Sequence, residues 1–91
     1  MKIVLYSLVS RMISLPCQIR MARAALGWSH VQTAERSKLS LSTIRRSETE
    51  LGFSVMTVPN REVLERTFTD AGIIFTGDAD TPGVQLVLKP R

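Results

Sequence analysis

Residues 28–48 read WSHVQTAERSKLSLSTIRRSE, and this stretch decides the fold. Ser29 and Gln32 have the spacing of a capping box, in which each side chain bonds the other residue's backbone N–H at the start of a helix. Ser40 is a residue type that favours the N-cap position and predicts a further helix over 41–49. So few residues separate the two helices that they leave room only for a tight turn.

A third helix is predicted immediately before this stretch. Pro16 suits a first helical turn because a proline there gives up no intrahelical hydrogen bond. Gly27 predicts the end of the helix, since glycine adopts the left-handed conformation that commonly follows a last turn. Between them lie four apolar residues on one helix face: Ile19, Ala22, Ala25 and Leu26.

The remainder of the chain predicts a loop, a longer helix and a β-hairpin. Gly52 and Pro59 favour a loop over 50–60, and Asn60 is the expected cap of a helix that stops at Gly72. Two β-favouring runs, 73–76 and 84–88, flank a turn rich in Gly, Asp and Pro. The predicted class is therefore mainly α, with four to five helices and a minor β component.

A chain of 91 residues accommodates one modest domain with a single core. We expect an N-terminal extension over 1–13 that forms a short strand, a helical domain over 14–72 and the hairpin over 73–91. One cysteine, Cys17, and one histidine, His30, offer neither an intramolecular disulfide nor a metal site. No run approaches the roughly 20 apolar residues of a membrane span, so we expect a cytoplasmic protein that needs no cofactor or metal and contacts no membrane.

The charges are unevenly distributed along the chain. Residues 11–46 carry seven basic side chains and one acidic side chain, a balance of +6, whereas 47–80 carry seven acids and two arginines, a balance of −5. A basic cluster is typical of proteins that bind the phosphate backbone of nucleic acids. Scattered solvated charge on a small basic protein is the competing interpretation.

The helix predicted over 41–49 carries the functional interpretation. Ile44 can anchor it inward, which leaves an outward face able to enter a DNA major groove. That face contains Leu41, Ser42, Thr43, Arg45 and Arg46.

The sequence resembles the phage repressor and Cro-like (xenobiotic-response-element type) helix-turn-helix family. The similarity covers roughly residues 16–75. It comprises the run 19–29, IRMARAALGWS, and the spacing of Ala34, Leu39, Ser40, Thr43, Ile44 and Glu48, while the C-terminal part is similar to a bacterial subgroup with an added hairpin. The family usually has Gln in place of His30, Gly in place of Lys38, and larger apolar residues in place of Thr33 and Ser47.

The resemblance implies a transcription regulator, a homodimeric repressor on double-stranded DNA, rather than an enzyme. It would lie with the nucleoid when bound to DNA, and the apolar hairpin and N-terminal run are the candidate dimer surfaces. The resemblance also implies a partly buried salt bridge between Arg23 and Glu48. The residues that it assigns to DNA are Ser29, His30, Leu41, Ser42, Thr43, Arg45 and Arg46.

Each of these assignments has an alternative. Ser29 can act purely as a helix cap, and Arg45 and Arg46 can be ordinary surface charges. Leu41 can touch a thymine methyl group or another protein. The alternative function is accordingly a protein-binding adaptor or antagonist of a transcription factor that retains the fold.

Overall fold

A computed structural model describes residues 13–88 as five helices followed by a two-stranded antiparallel hairpin. The fold is therefore mainly helical with a small β component, as predicted. The elements are α1 (Pro16–Leu26), α2 (His30–Ser37), α3 (Leu41–Ser47), α4 (Glu50–Ser54), α5 (Val58–Asp70), β1 (Ile73–Thr76) and β2 (Gly83–Leu86).

Helix α1 has the predicted bounds. Pro16 lies in its first turn, and Gly27 closes it at φ 70°. Gln18 is nearly completely buried, and its side-chain amide donates to the carbonyls of Thr76 and Gly83 at 3.2 and 3.0 Å. One polar side chain of α1 thus ties the helix to both strands of the hairpin.

Helices α2 and α3 begin at the predicted caps. The Gln32 N–H donates to Ser29 Oγ at 3.0 Å, the Ser29 N–H donates to Gln32 Oε1 at 2.9 Å, and Ser40 Oγ accepts the Thr43 N–H at 3.1 Å. The predicted range 41–49 is two residues too long, because α3 ends at Ser47. Thr49 is extended, with φ −106° and ψ 156°, and caps the next helix.

The predicted loop over 50–60 is wrong, since residues 50–54 form α4. Thr49 Oγ1 accepts the Gly52 N–H at 3.0 Å and starts this short helix. A Cβ atom at position 52 would overlap the carbonyl group of Arg46. The glycine therefore allows α4 to pack against the end of α3 and does not break the chain into a loop.

Helix α5 also begins earlier than predicted. Thr57, not Asn60, is its cap, since Thr57 Oγ1 accepts the Asn60 N–H at 3.3 Å. Pro59 is tolerated inside the first turn because the N–H groups there have no intrahelical acceptor. The helix ends at Asp70, close to Gly72 as predicted.

The hairpin follows α5 directly. Its register places Ile73 opposite Leu86 and Phe75 opposite Val84, and these side chains belong to the core or pack against it. Compared with the predicted range 84–88, β2 starts one residue earlier and stops two residues earlier.

The core lies between α1, α3, α5 and the hairpin. Trp28 stacks on Phe68 with ring centroids 5.8 Å apart, and Phe68 meets Phe75 edge-on at 6.2 Å. The buried apolar side chains are Ile13, Ile19, Ala22, Ile44, Leu64, Phe68, Ile73 and Phe75.

Residues 1–12, on which the predicted N-terminal strand falls, lie outside the described residues. Ile13 is described, and it belongs to the core rather than to an extension: it is 2% exposed, and its N–H donates to Glu65 Oε2 at 2.8 Å. The helical domain therefore includes Ile13, one residue before the predicted boundary.

Candidate nucleic-acid interface

Helix α3 presents the face that the sequence predicts. Ile44 and Ser47 are buried and fix its inner side. Ser42, Arg45 and Arg46 are exposed, whereas Leu41 and Thr43 are half-buried. Of the five outward residues predicted on this helix, three are thus exposed and two are half-buried.

A turn of three residues connects α2 to α3. Lys38, where the family that the sequence resembles usually has Gly, adopts the left-handed conformation, with φ 66° and ψ 17°. Ser37 Oγ accepts the Leu39 N–H at 3.2 Å, and Leu39 packs against the core. These contacts fix the angle at which α3 leaves the turn.

A charged cluster joins α1 to the residue after α3. Arg23 makes two hydrogen bonds to the Glu48 carboxylate, from Nε to Oε2 at 2.5 Å and from Nη2 to Oε1 at 3.0 Å. The Glu48 and Arg23 side chains are 8% and 19% exposed, so the pair is partly buried, as the resemblance implied. Arg20, which the sequence analysis did not single out, donates from Nη1 to the Glu48 carbonyl at 2.5 Å.

This environment keeps Glu48 ionised at neutral pH. Burial raises the pKa of the carboxyl group, but hydrogen bonds from Arg23 and His30, together with the Arg23 charge, lower the pKa below its usual range. The ionised carboxylate of Glu48 holds Arg23 and His30, and the backbone carbonyl of the same residue accepts from Arg20. The cluster therefore locks α1 and α2 to the C-terminal end of α3.

His30, assigned to a DNA phosphate by the resemblance, also belongs to this cluster. Its Nε2 lies 3.2 Å from Glu48 Oε1, and its side chain is 35% exposed. Ser29 is exposed and acts as the cap of α2. A contact between Ser29 and a DNA phosphate stays a prediction. The sequence could not indicate the contact between His30 and Glu48, because the two residues are 18 positions apart.

Thr43 lies beside a cleft that the sequence analysis missed. Its hydroxyl accepts from Ser40 Oγ at 2.8 Å. The cleft, about 250 Å³ in volume, lies between α3, α4 and the start of α5, and Arg46, Met56 and Asn60 contribute to its lining. Because residues 50–60 were predicted to be a loop, no cleft was expected there.

An exposed apolar patch adjoins this cleft. Leu51, Val55 and Val58 are 76%, 71% and 62% exposed. The Arg61 guanidinium lies 5.0 Å from the centre of the Phe53 ring nearby. The surface next to α3 therefore offers both charged and apolar contacts.

No helix within residues 13–88 has the length and apolar character needed to cross a membrane. Comparisons with models of known protein families, with curated proteins and with solved structures find no match for this chain.

Proposed function

We propose that this chain is a sequence-specific DNA-binding transcription regulator that reads the major groove with α3. The observation that carries the proposal is the two-sided character of this helix. Ile44 and Ser47 hold it to the core, while Ser42, Arg45 and Arg46 face outward. A major groove about 12 Å wide admits one helix, and arginine is the side chain that most often reads guanine.

The charge distribution supports this proposal. Within α1, α2, α3 and their connections the basic residues outnumber the single acid, Glu35, whereas the acids concentrate from Glu48 onward. Such a separation directs one end of the molecule toward polyanions. Arg36 and Lys38, both exposed, add to the basic surface at the end of α2.

We further propose a cytoplasmic homodimer that acts as a repressor and has no enzymatic role. A single reading helix contacts only a few base pairs, and two copies on a two-fold operator supply the affinity that one lacks. Val87 and Leu88, 49% and 78% exposed beside the hairpin, support the hairpin as the dimer surface.

Binding to duplex DNA as a function of salt tests the proposal. For the wild type, log K should fall linearly with log salt. Replacing Arg45 and Arg46 together by Ala should weaken binding and reduce the salt slope by about two units, roughly one for each charge removed. The matched control is Arg66→Ala, an exposed arginine of α5, which should leave both quantities near the wild-type values. Equal effects of the two variants would contradict the proposal.

The second candidate function is a protein-binding adaptor or antagonist, favoured by the apolar patch of Leu51, Val55 and Val58. An apolar contact with a protein does not depend on salt as a phosphate contact does. If the protein does not bind nonspecific duplex DNA even at low salt, the protein-binding function is favoured over DNA recognition.

A further inference from the structure

A groove separate from the cleft beside α3 lies where the ends of α1, α5 and β2 meet. Its volume is about 430 Å³, and Leu26, Trp28 and Leu86 contribute to its apolar lining. None of the residues that line it belongs to α3. A contact confined to this groove therefore leaves the exposed side chains of α3 uncovered.

The apolar surface of the groove extends into solvent. Val87 and Leu88 line the groove and are exposed, and Trp28 is half-buried. Apolar side chains that are grouped in this way and bordered by polar residues are typical of a surface that another protein covers.

One cation and one anion border these apolar side chains. Arg36 and Asp70 both line the groove and are both exposed, and within residues 13–88 neither belongs to an ion pair. The Arg36 guanidinium lies 4.7 Å from the centre of the Trp28 ring, a contact that holds it at the groove. Asp70 is the last residue of α5, which has no basic residue in its last turn. The helix dipole and the carboxylate therefore both attract a cation to this place.

We propose that a second copy of this chain covers the groove, with Arg36 of each copy paired with Asp70 of the partner subunit. A two-fold axis that passes between the two residues, at right angles to the line joining them, places each arginine opposite the other copy's aspartate. The same surface thus supplies both charges, whereas a partner of different sequence would need the reverse arrangement on its own surface. The inference rests on the homodimer of the proposed function and adds the contact that forms it.

The charge reversals Arg36→Asp and Asp70→Arg test the proposal by sedimentation over a range of protein concentrations. In the homodimer of either variant two pairs of like charge face each other, so the dissociation constant of the dimer should rise about tenfold or more. An equimolar mixture of the two variants should form dimers again, because each copy then meets the opposite charge. Mixing cannot restore an ion pair within one chain.

The matched control is Arg66→Asp, a charge reversal at an exposed position of α5 that does not line the groove. This variant should dimerise like the wild type. A loss of dimers equal to that of Arg36→Asp would mean that net charge, and not the groove, determines self-association, and would overturn the proposal.

A second measurement needs no variant. Trp28 is the only tryptophan in the chain, so its fluorescence reports on the groove directly. Its emission should shift to shorter wavelength as the wild type dimerises, because the second copy displaces water from the ring. A dimer that forms without this shift would contradict a contact at the groove.

The outcomes distinguish this inference from the proposed function. A wild-type dimer that neither reversal weakens, or reversals that mixing does not rescue, overturns the groove contact and leaves both DNA recognition by α3 and a dimer formed elsewhere standing. A wild type that is monomeric at every concentration overturns the groove contact together with the homodimer, while the salt dependence of DNA binding tests α3 separately. Circular dichroism of each variant establishes that it is folded.

Discussion

The two ends of the molecule bury different kinds of side chain. In α2 and α3 the buried residues include Thr33, Ser37 and Ser47, whose hydroxyls donate to carbonyls of their own helix or its cap, whereas α5 and β1 bury Leu64, Phe68, Ile73 and Phe75. Each hydroxyl that is bonded in this way avoids the cost of an unpaired buried polar group but contributes little apolar area. The two fully buried aromatic rings therefore lie in α5 and β1, whereas α2 buries no apolar side chain fully and α3 buries only Ile44.

Because of this difference, we expect different residues to determine the stability of the fold and its binding to DNA. The exposed arginines of α3 lie on a helix held by Ile44, by small hydroxyl residues and by one charged cluster, while the buried aromatic rings lie farther along the chain. Substitutions on α3 should change binding with little loss of stability, and substitutions in α5 should do the reverse. Substitutions in both regions test this separation, and the largest effect is expected in the aromatic core.

The largest effect is expected from Phe68→Ala. Phe68 is fully buried and contacts both Trp28 and Phe75. Its truncation removes apolar contacts and leaves a cavity, which should lower the free energy of unfolding by about 4 kcal/mol. Leu51→Ala, at a position 76% exposed, is the control and should change stability by less than about 0.5 kcal/mol. Denaturant midpoints measure both variants, and similar losses would contradict the location of the core.

Glu48→Ala should cost about 3 kcal/mol at neutral pH, because Arg23 is left as a largely buried charge without its partner. The cost should depend on pH. The folded-state pKa of Glu48 is below its usual value, so the ionised group stabilises the fold above the unfolded-state pKa, about 4.3. As the pH falls through the folded-state pKa, this contribution is lost.

The unfolding free energies of the wild type and Glu48→Gln, compared between neutral pH and about pH 3, measure this dependence without a change of side-chain size. The difference between the two proteins should narrow in acid. A difference that is constant over the whole range would indicate that the ion pair does not contribute.

The sequence-based prediction was accurate where the physical cause acts between residues close together in the chain. Helix α1 and the start of α2 were predicted because proline, glycine and capping residues act within one turn. Helix α4 was missed because five residues show no periodicity and Gly52 resembles a break. The start of α5 was misplaced because Thr57 and Asn60 are both good capping residues.

The candidate site shows the same limit. Ile44 was enough to predict that Ser42, Arg45 and Arg46 are exposed, since one inward anchor fixes the orientation of a helix, but Leu41 and Thr43 are half-buried. The pairing of Arg23 with Glu48 came from the family resemblance, and the contact from His30 to Glu48 was not predicted at all. Both contacts join residues far apart in sequence, which only tertiary packing brings together.

On α3 itself, Arg46→Ala and Arg45→Ala should change DNA binding in different ways. The family resemblance assigns Arg46 to a base and Arg45 mainly to the backbone. Arg46→Ala should lower the discrimination between operator and scrambled DNA by about 2 kcal/mol, since a bidentate guanine contact is worth about that much. Arg45→Ala should weaken binding to operator and scrambled DNA equally and reduce the slope of log K against log salt by about one unit. Titrations of both DNAs at several salt concentrations separate these effects, and a reversal of roles would indicate that α3 lies differently in the groove.

The smallest effect is expected in the turn before α3. Lys38 is exposed and has φ 66°, a conformation that costs a residue with a Cβ atom about 1 kcal/mol. Lys38→Gly and Lys38→Ala remove the same charge, but only the glycine relieves the backbone. Lys38→Gly should therefore be more stable than Lys38→Ala by about 1 kcal/mol, while the two variants should bind DNA equally and with the same salt slope. Denaturant unfolding and DNA titration of this pair measure both quantities. Equal stabilities of the two variants would mean that the turn relaxes away from the left-handed conformation. Unequal DNA binding would mean that the strained backbone at Lys38 helps to orient α3. In that case stability and binding would not be separate in this part of the molecule.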